Sequence, residues 1–323
     1  MDLAQILAPI HADVEEVERR LAASLASDLP VVAGLVEHLS QFRGKRLRPA
    51  VLLLTARATE TLRDEHYALS VIIELIHAAT LVHDDVLDEA LIRRKVPSLN
   101  AKWDNEMSVI FGDWLFARAF AATSALRNHD ATLLLSRTAA EICEGEMLQI
   151  SHKFNDRLRE EEYYRIIGQK TASLFEACGR FGLLFDRAHP SWQEEIPAFA
   201  REVGVAFQIM DDCLDLMGTE AEMGKSLGTD LTKGKPTLPI IRLLATVPPA
   251  KRDELRHFLF ENGHPEHRRE VHSLLVRHGA IEYALTQARE LVARARGRIR
   301  SLGAFPHSEV LESLADYVLQ RSS

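Results

Sequence analysis

Apolar residues at Leu69, Ile72, Ile73 and Ile76 recur at three- and four-residue steps, the spacing of a helix with one buried face. That helix is predicted to run into His77-Ala-Ala-Thr-Leu-Val-His-Asp-Asp-Val-Leu-Asp88. Asp84 and Asp88 then fall one turn apart, about 6 Å along the axis, with Asp85 beside them. The pattern returns where Val203, Val205, Ala206, Phe207, Ile209 and Met210 lead through Gln208 into Asp211, Asp212 and Asp215. Elsewhere Val14, Val17, Leu21 and Leu25 keep helical spacing up to a break at Pro30. Further helices are expected from Val109 to Ala122, Leu133 to Ile150 and Tyr163 to Phe185. After Ile240 the helices are broken at Pro248-Pro249, Gly263 to Pro265 and Gly303 to Pro306. Alternating strand patterns, internal repeats and linkers are not apparent, so one all-α domain over 1-323 is the economical reading.

Three carboxylates within a turn and a half repel one another, and apolar flanks leave little water to screen them. A divalent cation is the simplest remedy. One such triplet is commonly just a solvated helix face. Two copies, each after an apolar helix and each trailed by basic residues, read instead as facing walls of one pocket.

The basic residues then matter locally. Gly44-Lys45-Arg46-Leu47-Arg48-Pro49 precedes the apolar run Val51 to Leu54, where a glycine-containing turn at a helix mouth presents cations and free N–H groups to an anion. Arg93 and Arg94 follow the first triplet, and arginine suits forked contacts with phosphate oxygens. Lys170-Thr171 lies in a helical stretch, where a lone lysine ordinarily points to solvent. Glu141, Glu144, Glu146 and Gln149 interrupt an apolar pattern, as cavity lining or as solvated positions. Between Gly218 and Pro239 a glycine-rich span carries Lys225, Asp230, Lys233 and Lys235, and reads as a lid over phosphate or as a plain surface loop.

The net charge of −8 argues against nucleic acid as a partner. Three cysteines, Cys143, Cys178 and Cys213, lack metal-ligand spacing and form no disulfide framework, so buried thiols in a reducing cytoplasm are expected. The acidic N-terminus has no basic-then-apolar signal pattern. No uncharged apolar run is long enough for a bilayer, since Val109 to Leu126 is broken by Asp113 and Arg118. A cytoplasmic protein, not integral to a membrane, is the expectation.

Over nearly its whole length the sequence resembles the trans-isoprenyl (polyprenyl) diphosphate synthase family. Its two aspartate-rich motifs look like Asp84-Asp85-Val86-Leu87-Asp88 and Asp211-Asp212-Cys213-Leu214-Asp215, in the family's order and separation. The likeness extends to Gly44-Lys45, Arg48-Pro49, His77, Arg93-Arg94, Gly112-Asp113, Lys170-Thr171, Phe207-Gln208, Gly224-Lys225 and Lys235-Pro236-Thr237-Leu238-Pro239. The resemblance implies an isoprenoid synthase type antiparallel helical bundle around a deep central cavity, usually as a homodimer. It implies that Asp84, Asp85, Asp88, Asp211, Asp212 and Asp215 hold Mg²⁺ on an allylic diphosphate primer. Arg93, Lys170, Thr171, Gln208, Lys225 and Lys235 would contact or position that diphosphate, and Lys45, Arg48, His77 and Arg94 would bind isopentenyl diphosphate.

In the family, bulky aromatics just before the first motif end chain growth early. The fourth and fifth positions upstream of Asp84 are the small Thr80 and Ala79, with Ile76 as a candidate lower floor. A medium- or long-chain all-trans polyprenyl diphosphate is therefore expected, with a short-chain farnesyl or geranylgeranyl product as the alternative. Release of so lipophilic a product would bring transient membrane contact. A class I terpene cyclase would not need Lys45, Arg48, His77 and Arg94 for a second diphosphate, and intact aspartates disfavour a non-catalytic partner subunit. One departure is Lys95, which stands where the family commonly has glycine after the arginine pair.

Overall fold

The computed structural model describes residues 2–42, 44–217, 229–260 and 268–320. The helical periodicities become helices α1 (Leu3–Leu7), α2 (His11–Ser24), α3 (Pro30–Leu39), α4 (Leu47–Ala58) and α5 (Asp64–Leu87). A two-strand hairpin, β1 (Ile92–Arg93) and β2 (Val96–Pro97), separates these from α6 (Leu99–Lys102), α7 (Asn105–Ala125), α8 (His129–Ser151) and α9 (Glu160–Ile167). Then come α10 (Ser173–Gly182), α11 (Trp192–Met217) and, among the described residues, six C-terminal helices that begin at Thr229–Thr232 and end with Ala280–Ser301 and Ser308–Gln320. Local chemistry sets several starts. Pro30 opens α3 in its first turn, where a missing N–H costs nothing. Asp104 and Asn128 accept from the N–H groups of Met107 and Ala131 at 2.7 and 3.0 Å, capping α7 and α8.

The bundle is built around α5 and α11. Leu69, Ile72, Ile73 and Ile76 of α5 are fully buried, as are Val203, Ala206 and Ile209 of α11. α5 packs on α7, α2 and α4, and α11 on α10 and Ala280–Ser301. A smaller apolar cluster around Leu243, Leu259 and Leu275 lies under the C-terminal helices, and Leu285 packs against both clusters. By length and hydropathy α5 would also suffice to cross a bilayer, although Glu74 interrupts its apolar run. Most of its apolar span is inside the bundle, and Glu74 is buried there in an ion pair with Arg46.

Two local departures bear on the site. The helix expected from Tyr163 to Phe185 is interrupted by a π-helical turn, Gly168–Ala172, whose extra residue rotates Lys170 and Thr171 relative to α9. The hairpin turn is Arg94-Lys95, with φ of +51° and +66°. Two successive left-handed residues make a two-residue turn of the type that favours glycine at its second position, where Lys95 stands.

Candidate active site

The first acidic motif occupies the C-terminal end of α5, with Asp88 as its C-cap, and the second lies in the last two turns of α11. Asp84, Asp88, Asp211 and Asp212 line one cavity of about 570 Å³, together with Arg48, His77, Thr80, Arg93, Arg94, Lys170, Thr171, Gln208 and Lys235. Lys45 lies instead in an adjoining pocket, its Nζ 5.6 Å from the Tyr317 ring centroid. Lys225, with Gly218, Gly224 and Gly228, lies outside the described residues.

The carboxylates are not equivalent. Asp85 is buried, and Arg93 donates to both its oxygens at 2.7 Å in a fork. Burial outweighs that arginine and raises the Asp85 pKa. Asp84 faces Lys170 Nζ at 3.3 Å, and Asp88 accepts from Lys235 Nζ at 2.6 Å. Burial would raise Asp88, but Lys235, with Lys233 and Lys170, holds it below the usual carboxylate range. Lys170 also pairs with Glu146 and donates to Gln149 Oε1 at 3.0 Å; despite burial, Asp84 and Glu146 raise its pKa, so it stays protonated.

In the second motif Asp212 is buried with both oxygens satisfied by protein donors, Tyr163 Oη at 2.6 Å and Gln208 Nε2 at 2.8 Å. Thr171 Oγ1 donates in turn to Gln208 Oε1 at 2.9 Å. Burial first, then the neighbouring Asp230, push the Asp212 pKa upward. Asp215 is buried behind the cavity wall and accepts from the Asp230 N–H at 3.3 Å. Asp230 itself lines the cavity.

On the opposite side, Arg48 Nη1 donates to His77 Nε2 at 3.2 Å, and its guanidinium lies 4.6 Å from the Phe175 ring centroid. Desolvation, followed by Arg48 and Arg94, holds the His77 pKa well below its ordinary value, so the imidazole is neutral. Arg94 Nη1 donates to the Phe42 carbonyl at 2.7 Å, so the adjacent arginines of the hairpin reach different walls. The cavity's apolar lining includes Phe116, Ile142, Met147, Ile166 and Phe207. Thr80 lines it and donates to the His77 carbonyl, Ile76 lies one turn below on the same face of α5 and is fully buried, and Ala79 is buried off that face.

Glycines hold the lysine wall in place. A Cβ on Gly145 of α8 would meet the Lys170 backbone nitrogen at 2.5 Å, and one on Gly204 of α11 would meet the Ala172 Cα at 2.8 Å. The π turn is thus clasped between two helices that can approach only through glycine. Likewise a Cβ on Gly112 would overlap the His83 ring, which stacks on Phe116 just before Asp84. Glu146, Gln149 and Tyr163 join the site without a role assigned to them by sequence, and Asp230 belongs to the span read as a lid or a surface loop. The first two were visible only as polar breaks in an apolar pattern, and nothing local marked Tyr163.

The donor set suits a hard divalent cation. Among the described residues no three Asp, Glu, His or Cys side chains form a cage of their own, whereas Mg²⁺ ordinarily takes one or two carboxylates and completes its shell with water and phosphate oxygens.

Several known proteins share this architecture. A polyprenyl synthase from Caulobacter crescentus, solved with calcium and isoprenyl diphosphate, superposes with a TM-score of 0.94 at 31% identity, covering 100% of this chain and 98% of that one. An all-trans-nonaprenyl-diphosphate synthase (geranyl-diphosphate specific) of Rhodobacter capsulatus is 35% identical over 317 residues, 98% of this chain and 97% of the relative. The octaprenyl diphosphate synthase of Escherichia coli is 33% identical over 322 residues, 99% of each. The polyprenyl synthetase family model matches residues 30–276, and the chain belongs to that family of prenyl-transferring enzymes.

Proposed function

We propose that the chain condenses isopentenyl diphosphate head-to-tail onto an allylic diphosphate primer, giving a medium- or long-chain all-trans polyprenyl diphosphate. The observation that carries this reading is the convergence of Asp84, Asp88 and Asp211 with Lys170, Lys235, Arg93, Arg48 and Arg94 on a single cavity with an apolar interior. The relatives named for nonaprenyl and octaprenyl products support the chain length.

Asp84 and Asp88 on one wall and Asp211 on the other would hold Mg²⁺. When bound, that ion neutralises the allylic diphosphate and makes it a better leaving group. Lys170, which stays protonated, and Lys235 sit beside those carboxylates and stabilise the charge that builds on the departing oxygens. Arg48, His77 and Arg94 hold the second diphosphate, with Lys45 at its outer side. C–O cleavage releases pyrophosphate and leaves an allylic cation, the isopentenyl double bond attacks that cation, and a proton then leaves the new product, with the pyrophosphate as the acceptor. Phe116, Ile142 and Phe207 exclude water from the cation. The small Thr80 leaves the way open toward Ile76, where the tail is first checked.

Two further features belong to this reading. α7 and α8 expose Val109, Ile110, Leu133, Met147 and Ile150, with Ile110 and Met147 about 60% accessible, as a face for a second copy in a homodimer. Unpaired Cys143, Cys178 and Cys213 fit the cytoplasm.

The test is incubation with Mg²⁺, labelled isopentenyl diphosphate and allylic primers of several lengths, then sizing of the dephosphorylated products. Products beyond twenty carbons are expected. Growth that stops at farnesyl diphosphate with isopentenyl diphosphate in excess overturns the chain-length reading, and no condensation with any primer overturns the activity.

A further inference from the structure

The turn between α8 and α9 carries an aromatic side chain that neither the core nor the reaction uses. Phe154 is 56% exposed and sits at φ +58°, a left-handed backbone that bulky residues rarely adopt. An exposed ring gains little burial to offset that strain, and strain of this kind persists where the surroundings impose it. The turn is well anchored. Asn155 N–H donates to the His152 carbonyl at 3.1 Å, Asp156 pairs with Arg256 of the helix Pro249–Phe260 at 3.1 Å, and Leu158 is buried in the wall of the aspartate cavity.

What Phe154 touches is Gly234. Its N–H donates to the Gly234 carbonyl at 2.6 Å, and its Cγ and both Cδ atoms lie 2.6 to 2.7 Å from where a Gly234 Cβ would stand. Gly234 takes φ +70° and is buried against that ring. The N–H of Lys235 donates to the Asp230 carbonyl at 2.7 Å, so the one peptide group joining Gly234 to Lys235 is held at both ends. A planar peptide leaves little play between those bonds and the Lys235 Cα. Lys235 Nζ in turn donates to Asp88 at 2.6 Å. We infer that Phe154 is a positioning residue for the allylic half of the condensation: it locks the Gly234–Lys235 peptide and so keeps the Lys235 ammonium on Asp88. This rests on the proposed role of Lys235 beside the departing diphosphate.

The test separates the ring from stability and from turnover. Phe154→Ala and Phe154→Gly both remove the ring, but only glycine relieves the left-handed backbone. The glycine variant should therefore melt higher than the alanine one, while both lose at least tenfold in kcat/KM for the allylic primer. KM for isopentenyl diphosphate, whose cations lie on the opposite wall, should stay within twofold. Phe154→Tyr, which puts its hydroxyl at the end of the ring away from Gly234, should keep the wild-type rate. In a Lys235→Ala background Phe154→Gly should cost no further rate, because the two residues act through one group. Hydrogen exchange followed by mass spectrometry should speed at least tenfold across Gly234 and Lys235 in both ringless variants, whether or not the enzyme turns over. Activity that recovers with stability in Phe154→Gly, losses that multiply in the double variant, or unchanged exchange overturns the inference. Faster exchange in the ringless variants of a chain that condenses no primer supports the clasp and strikes the proposed activity instead.

Discussion

Gly145→Ala puts one methyl group where α8 meets the π turn. The new Cβ would lie 2.5 Å from the Lys170 nitrogen, 2.8 Å from Gln169 Cβ and 3.0 Å from Gln169 C. Two of these are backbone atoms that cannot rotate away. Restoring an ordinary separation near 3.5 Å requires α8 and the turn to part by roughly 1 Å. Overpacking of this kind costs about 1–3 kcal/mol, and the better helix propensity of alanine returns about 1 kcal/mol, so the net loss is on the order of 1 kcal/mol. Activity should suffer more than stability. Glu146 and Gln149 ride on α8 and hold Lys170 from one side while Asp84 holds it at 3.3 Å from the other, so parting the two elements moves the ammonium off its aspartate. A displacement of 1 Å at a reacting group is worth about 10²-fold in rate. We expect kcat/KM for condensation to fall about 10²-fold while the thermal midpoint drops only a few degrees. Gly297→Ala is the control: a Cβ there meets nothing within 4 Å, so it should stabilise by roughly 0.5–1 kcal/mol and leave turnover alone. A folded Gly145→Ala enzyme within threefold of wild-type kcat/KM would refute the clasp.

Three other outcomes follow from the same geometry. Tyr163→Phe removes a donor from buried Asp212, so it should destabilise by about 1–3 kcal/mol and raise the Mg²⁺ concentration for half-maximal rate; a metal titration coincident with wild type would deny Tyr163 a positioning role. Lys95→Gly relieves a side chain held at φ +66° and should stabilise by about 1 kcal/mol in denaturant melts, and a lowered midpoint would count against a strained turn. His66 is fully buried, its Nδ1 accepts the Arg63 N–H at 2.9 Å, and burial holds its pKa down to about 4 from 6.5. Above pH 6.5 both states are neutral and nothing is lost; below it the unfolded chain takes the proton first, so stability falls as pH drops toward 4. The loss is about 2 kcal/mol by pH 5, and His66→Gln should flatten that slope; an unchanged slope would assign it elsewhere.

Much of this was legible because burial and helical period agree. Leu69 to Ile76 and Val203 to Met210 advertise two central helices, and the acidic triplets mark where those helices end. The partition of the six carboxylates was not legible. Asp85 and Asp212 carry the same side chain as Asp84 and Asp211, but a helix turns 100° per residue, so the second aspartate of each motif points into the bundle, toward Arg93 or Tyr163. The π turn escaped because its cause lies on other helices: Gly145, between Glu144 and Glu146, and Gly204 carry no local sign of a close approach, and only packing reveals them as contact points. Lys45 follows Gly44 and was grouped with Arg48, yet the left-handed Arg46 between them sends the two cations to different pockets.

The hairpin makes its length matter more than its composition. Arg93 ends a strand and Arg94 opens the left-handed turn, so the neighbouring guanidiniums leave the backbone in different directions and reach separate partners, Asp85 and the Phe42 carbonyl. Inserting or deleting one residue there would change which arginine falls in the turn without altering a single charge. Substitutions in this segment are therefore gentler than changes in its length.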